Sequence, residues 1–188
     1  LKIDRKSIQT PLTDASVRML RTGNHVLISG VLYTARDAAH RRMTDSLLRG
    51  EGLPVPLRGQ ILFYAGPAPA PPGRASGAIG PTTAGRMDAF TIPLLAEGLK
   101  GMIGKGPRSE AVRGAIRDHG AVYFAAVGGI AALLARCVLT SRIAAYPDLG
   151  PEAVHRIEVV DLPVIVANDC YGADLYEEGV AANRPAFP

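Results

Sequence analysis

Residues 121 to 135, AVYFAAVGGIAALLA, run fifteen positions without a charge and stop at Arg136. A helix that crosses a bilayer needs about 18 or more apolar residues in succession, and Gly128 and Gly129 interrupt this run near its middle. The stretch therefore reads as a buried strand, a glycine turn and a buried helix.

The same alternation of β-rich runs, Gly or Pro punctuation and alanine-rich helical stretches recurs along the chain, which predicts α/β architecture. HVLISGVLY, 25 to 33, has the β-branched enrichment of a strand, and the helical composition that follows ends at Gly50. GQILFYAG, 59 to 66, reads as the next strand. The loop at 66–74 is dense in proline and can be neither helix nor central strand. Beyond it the pattern predicts a helix over 85–101 containing Pro93, a short strand at GMIGKG, and a helix over 109–120 with Ser109 as N-cap and Gly120 past its end. A strand at 121–127, a helix at 130–138, and two strands separated by the DLP at 161–163 complete the reading.

At 188 residues the chain is long enough for one domain, 1–188, with a core that needs neither disulfides nor metal. Lys and Arg exceed Asp and Glu by 21 to 17, spread along the chain, which argues against nucleic acid as partner and suits a small anionic substrate. Neither a membrane span nor a signal peptide is evident, so the expected location is cytoplasmic. Leu1 leaves open whether the chain is a separate subunit or part of a longer polypeptide. Cys137 and Cys170 are the only cysteines, too few for a disulfide framework or a cluster held by three or four thiolates.

Four constellations could carry chemistry. GPTTAGRMD, 80 to 88, approaches the spacing of a phosphate loop, but Arg86 and Met87 replace the lysine and hydroxyl residue. Its glycines and the helix start suit an anion and Arg86 offers a fork for a carboxylate; an ordinary turn capped by Thr82 or Thr83 fits equally. In ARDAAH, Arg36 and His40 share a helix face and Asp37 can orient a neighbouring His or Arg, or the group is a surface ion pair. Lys105, between two glycines, can reach into a cleft or simply occupy a loop. His119 is a structural cap or a catalytic group. The chain has no HExxH or CxxC motif and no nucleophile triad pattern.

Taken in order, ARDAAHRR, GPTTAGRMD, GMIGKGPRS, HGAVYFAAVGG, YPDLGPEAVHRIEV and DLPVIVANDCYG resemble the C-terminal region of class I, iron–sulfur fumarate hydratases and the separate β subunit of their two-chain forms, a family that includes L-tartrate dehydratase β subunits. The resemblance runs from about residue 10 to about 176.

It implies a swivelling β/β/α domain with a mixed sheet and flanking helices. It implies a hydro-lyase acting on a small dicarboxylate, with fumarate expected and L-tartrate or mesaconate as alternatives; a non-catalytic anion-binding or assembly module is the reading from a different class. The four-iron four-sulfur cluster would be held by a cysteine-bearing α subunit in a heterodimer or α2β2 assembly, and no metal by this chain. Arg36, Arg86 and Lys105 match positions that bind the substrate carboxylates, Thr82 matches the candidate base, and Asp37, His40, Thr83 and Asp88 surround them.

Overall fold

The computed structural model describes residues 4–184. Strand β1 (Arg5–Gln9) and the single-turn helix α1 (Asp14–Arg18) precede β2 (His25–Thr34) and helix α2 (Asp37–Leu48). Strand β3 (Ile61–Phe63) is followed by a long irregular crossover that ends in a 3-10 turn, Ala84–Met87, running directly into α3 (Asp88–Ala96). Then come β4 (Gly101–Gly104), α4 (Glu110–Asp118), β5 (Val122–Ala125), the short α5 (Ala131–Leu134) and β6 (Val138–Ala145). A 3-10 strap, Pro147–Glu152, leads into β7 (Val154–Asn168) and α6 (Leu175–Asn183).

These elements form one α/β domain with a mixed sheet and flanking helices. Strands β2 to β5 are parallel neighbours, and β7 pairs antiparallel with both β5 and β2, so the sheet closes on itself. β1 extends the row of β3 along one edge of β2, and β6 extends that of β5 along the other edge of β7. Closure could not be read from the sequence, because it depends on β7 being long enough to span two neighbours.

Alternation sorts the strand side chains into two cores. Val26, Ile28, Leu32, Ile61, Phe63, Ile103, Val122, Phe124, Ile157, Val159, Val164 and Val166 pack together inside the ring. Tyr33, Leu62, Tyr64, Met102, Tyr123 and Ala167 face outward and are buried with Met43 of α2, Leu94 and Leu95 of α3 and Val112 and Ile116 of α4. Strands buried on both faces are why the sequence shows them as short apolar runs rather than alternating ones.

The two strands expected around DLP are one. β7 runs fifteen residues through it with a bulge: Ile28 pairs with Leu162 and Gly30 with Val159, so β7 carries one extra residue there. Asp161 takes up the extra residue in a left-handed conformation, φ 49°, and its N–H donates to Ser29 Oγ at 3.0 Å. The bulge shifts the inward set from Ile157 and Val159 to Leu162, Val164 and Val166, so both halves of the strand point into the same core. The helix expected at 130–138 is also shorter: α5 is one turn, a 3-10 turn covers Ala135–Cys137, and Val138 already belongs to β6. The Ser109 N-cap is present, its hydroxyl accepting from Val112 N–H at 3.4 Å.

Candidate active site

Parallel strands present their following loops at one end, where α/β sheets bind ligands. At that end β2 leads to Arg36, β3 to Tyr64 and Gly66, β4 to Lys105, and β5 to Val127, Gly128 and Gly129. The crossover from β3 returns to the same place. Thr82 N–H donates to Tyr64 C=O at 2.6 Å, Lys105 N–H to Thr82 C=O at 3.1 Å, and Ala84 N–H to Lys105 C=O at 2.8 Å. Residues 82–84 are thus stitched between the ends of β3 and β4. Gly104 makes room: a Cβ there would stand 3.0 Å from Ala84 Cβ and from Tyr64 Cδ2, and 3.3 Å from Thr82 O.

Thr82 is half-buried, whereas Thr83, Arg86 and Lys105 are exposed. Thr83 occupies the position before the 3-10 turn without a side-chain capping bond. The Lys105 stem lies over Gly128, where a Cβ would meet its Cδ at 3.8 Å. Arg86, on the 3-10 turn, is gripped from α2: its Nε and Nη2 donate to the two oxygens of Asp37 at 2.9 and 2.8 Å. That bidentate pair spans 49 residues and leaves the guanidinium half-exposed, its Nη1 outside the pair.

Arg36 is the residue before α2 and supplies no side-chain cap to it. Its Nη2 lies 3.3 Å from Glu152 Oε1, and the same carboxylate accepts from Ala38 N–H at 3.1 Å through Oε2. His40, one turn in, is fully buried; Arg36 C=O accepts from both its backbone N–H, at 2.8 Å, and its Nδ1–H, at 2.9 Å. The ring stands edge-on to Tyr64, centroids 5.1 Å apart. Burial pushes the His40 imidazole down to about 4, so it is neutral, and its Nε2 has no partner. It packs behind the exposed face rather than on it.

Asp88 also turns inward. Its Oδ1 accepts from Arg108 Nε at 2.7 Å and its Oδ2 from Ser109 N–H at 2.7 Å, joining the start of α3 to the start of α4. Arg108, with a side chain entirely buried, further donates to Tyr64 Oη at 3.1 Å and Thr91 Oγ1 at 2.6 Å. Tyr64 therefore links Arg108 through its hydroxyl, His40 through its ring and Thr82 through its carbonyl. Sequence reasoning passed over Arg108, Tyr64 and Glu152. The first and last lie inside quoted motifs, but only tertiary contact gives them a part.

Arg36, Thr82, Arg86 and Lys105 thus lie on loops at the same end of the sheet, and carboxylates hold two of the three cations. His119 sits elsewhere, at the end of α4. Cys137 and Cys170 are partly buried against the inner core, and burial raises both thiols above their ordinary value. Two cysteines, one before β6 and one after β7, are fewer than the three or four thiolates that hold an iron–sulfur cluster and do not fit one. Among the described residues, no group of three or more His, Cys, Asp or Glu side chains could hold a metal ion, and no helix is long and apolar enough to cross a membrane.

A family model described as Fumarase C-terminus matches residues 2–179. The chain is 37% identical to Fumarate hydratase class I, aerobic, of Escherichia coli over 178 residues, 93% of this chain and 32% of that protein. It is 40% identical to Fumarate hydratase 2 of Leishmania major, covering 85% of this chain and 28% of that one. The Putative L(+)-tartrate dehydratase subunit beta of Methanocaldococcus jannaschii is 37% identical, with 89% of each chain covered. The chain thus spans about a third of the fumarate hydratases and most of the tartrate dehydratase subunit.

Proposed function

Because the chain belongs to the Fumarase C-terminus family, we propose that it is the β part of an iron–sulfur hydro-lyase that reversibly hydrates fumarate to (S)-malate. The observation that carries this reading is that Arg36, Thr82, Arg86 and Lys105 lie on loops at one end of β2 to β5, Arg86 and Lys105 exposed and Arg36 and Thr82 half-buried. The cluster is assigned to a cysteine-bearing α part, since the thiols here do not fit it, and every step below belongs to this chain's own side chains.

Arg86 holds one substrate carboxylate through the N–H groups Asp37 leaves free, and Arg36 and Lys105 hold and neutralise the remaining negative charge. Pinning both ends of a four-carbon diacid orients the carbon that exchanges its proton toward Thr82, and the cations offset charge that develops on the adjacent carboxylate as the proton leaves. As the alkoxide, Thr82 Oγ1 takes that proton in the dehydration direction, and the hydroxyl so formed returns it to carbon in hydration. A hydroxyl acts as a base only where cations stabilise its deprotonated form in a site closed to water, and the cations stand on the neighbouring loops. The partner's surface provides the closure.

The full-length similarity to a tartrate dehydratase β subunit supports a second reading, in which the diacid is L-tartrate. Mesaconate is a third candidate on the same clamp, because cations that hold carboxylates say little about the groups between them.

The test is to assemble the chain with its α partner anaerobically and assay fumarate, L-tartrate and mesaconate in parallel. Turnover of one acid is expected. In that assembly Arg86→Ala should lower kcat/KM by roughly 10²–10³-fold with the cluster retained, and Thr82→Val should depress kcat by a similar factor. A complex inactive on all three acids would sink the reading, and near-normal turnover in the Arg86 variant would sink the clamp.

A further inference from the structure

We infer that Glu152 is a positioning residue for Arg36: it sets the guanidinium's orientation toward substrate from a strap 116 residues further along the chain. The inference rests on the clamp reading of Arg36 above.

Three observations meet at this carboxylate. One oxygen accepts from Ala38 N–H at the first turn of α2, which no side chain of its own N-cap residue satisfies. The other lies 3.3 Å from Arg36 Nη2. The strap that delivers it is tied down independently: Asp148 takes Nη1 and Nη2 of Arg42 at 2.8 and 2.7 Å, and the Arg42 guanidinium lies 4.8 Å from the Tyr146 ring centroid. The strap also bends sharply, with Tyr146 and Gly150 both at positive φ.

The rest of Arg36 is boxed in by backbone. A Cβ at Gly66 would stand 2.5 Å from Pro151 O, 3.3 Å from Arg36 Cδ and 3.4 Å from Arg36 Nη1. Loops following β2, β3 and β6 therefore converge on one arginine stem. Its Nε is buried with no hydrogen-bond partner. The Glu152 carboxylate is then what fixes rotation of the fork, leaving its remaining Nη N–H groups for a ligand. Arg86 is held likewise by Asp37, so each of the two arginines is oriented by a carboxylate anchored at the start of α2.

A carboxylate beside a substrate-binding arginine could instead compete with substrate, and the two roles predict opposite signs. Positioning predicts that Glu152→Ala raises KM for the dicarboxylate about tenfold, with kcat changed less than threefold, and that Glu152→Gln, which keeps shape and one acceptor, recovers part of the loss. Competition predicts a lower KM in both.

The experiment measures KM and kcat for the assembled wild-type complex, both Glu152 variants and Asp148→Ala, which removes one exposed tie of the strap while Glu152 keeps its bond from Ala38 N–H, and is expected to leave KM within about twofold. The same proteins are followed by ¹⁵N NMR of the Arg36 side chain, assigned by Arg36→Lys. Restricted rotation in the wild type should be lost in Glu152→Ala and kept in Asp148→Ala. An unchanged or lowered KM, an unchanged Arg36 signal, or equal effects of the two strap substitutions overturns the inference while leaving the hydro-lyase reading intact. A wild-type complex inactive on all three acids removes that reading, and the inference with it.

Discussion

Replacing Arg108 by methionine removes a guanidinium but keeps an unbranched stem, and the surroundings set the cost. The Arg108 side chain is fully buried, donates to Asp88, Tyr64 Oη and Thr91 Oγ1, and lies near the Tyr64 and Tyr123 rings, 5.4 and 5.1 Å from their centroids. Without it Tyr64 Oη loses its donor and Asp88, only 17% exposed, keeps just Ser109 N–H. Breaking such a pair from one side costs about 3–5 kcal/mol, because an uncompensated buried charge remains. In a domain of this size that lowers Tm by roughly 6–20 °C. Adding Asp88→Asn removes the stranded charge, while the amide oxygen can still accept from Ser109 N–H, so the double variant should be more stable than Arg108→Met alone by about 1 kcal/mol. Urea denaturation followed by circular dichroism, with thermal melts alongside, measures all four corners of the cycle. A cost for Arg108→Met below about 1 kcal/mol, or a double variant as unstable as the sum of the singles, would refute the account of Arg108 and Asp88 as one buried ionic unit.

His40 should make the protein acid-sensitive. Its folded value, about 4, lies below its unfolded 6.5, chiefly through burial, with Arg108 adding and Asp37 and the bond to Arg36 C=O opposing. The unfolded chain therefore binds the proton first, and stability present above 6.5 is lost as pH falls toward 4, by about 3 kcal/mol, with no further loss from this group below that. His40→Phe keeps the edge-on contact with Tyr64 and should flatten this part of a stability–pH curve; an unchanged curve would remove His40 as the cause. Gly104→Ala should push Ala84 and Thr82 away from β4, costing about 1–3 kcal/mol and reducing kcat of the assembled complex more than it raises KM. Wild-type kinetics in that variant would show that the stitching at Thr82 does not govern turnover.

Legibility followed the length scale of the signal. Helix α4 was visible because its N-cap, Ser109, and the glycine past its end are local, β2 because of its β-branched enrichment, and β5 because a strand buried on both faces carries an unbroken apolar run. β7 was misread because Leu162-Pro163 resembles a strand break, whereas Asp161 at positive φ makes a bulge that only its pairing with Ser29 and Gly30 explains. Arg86 and Lys105 stood out as cations among glycines and Arg36, Asp37 and His40 by helix spacing, whereas the role of Thr82 came from the family resemblance. Their supports did not stand out: Glu152 acts across 114 residues on Ala38, and Arg108 reaches Tyr64 across 44. Asp88 and His40 carry the same lesson from the other side, being adjacent in sequence to the exposed cations yet packed behind them.

On the proposed hydro-lyase reading, the arrangement of charge suits half of a site. An exposed ion pair in water contributes about 0–1 kcal/mol and is screened by salt, so a diacid resting on Arg86 and Lys105 in the open would be held weakly and its carbanion-like state stabilised little. The same charges become strong when a partner excludes water, because the attraction between unit charges grows severalfold as the effective dielectric falls. Exposed cations left uncovered would also mispair, and the structure guards against that: Asp37 accepts two hydrogen bonds from Arg86, and Glu152 pairs with Arg36 at 3.3 Å. Buried His40, Tyr64 and Arg108, with the part-buried Asp88, hold the loops in register, and in the proposed assembly the exposed groups would be covered by the partner. On that reading recognition and rigidity fall to different residues of the same loops, as a site completed by a partner would require.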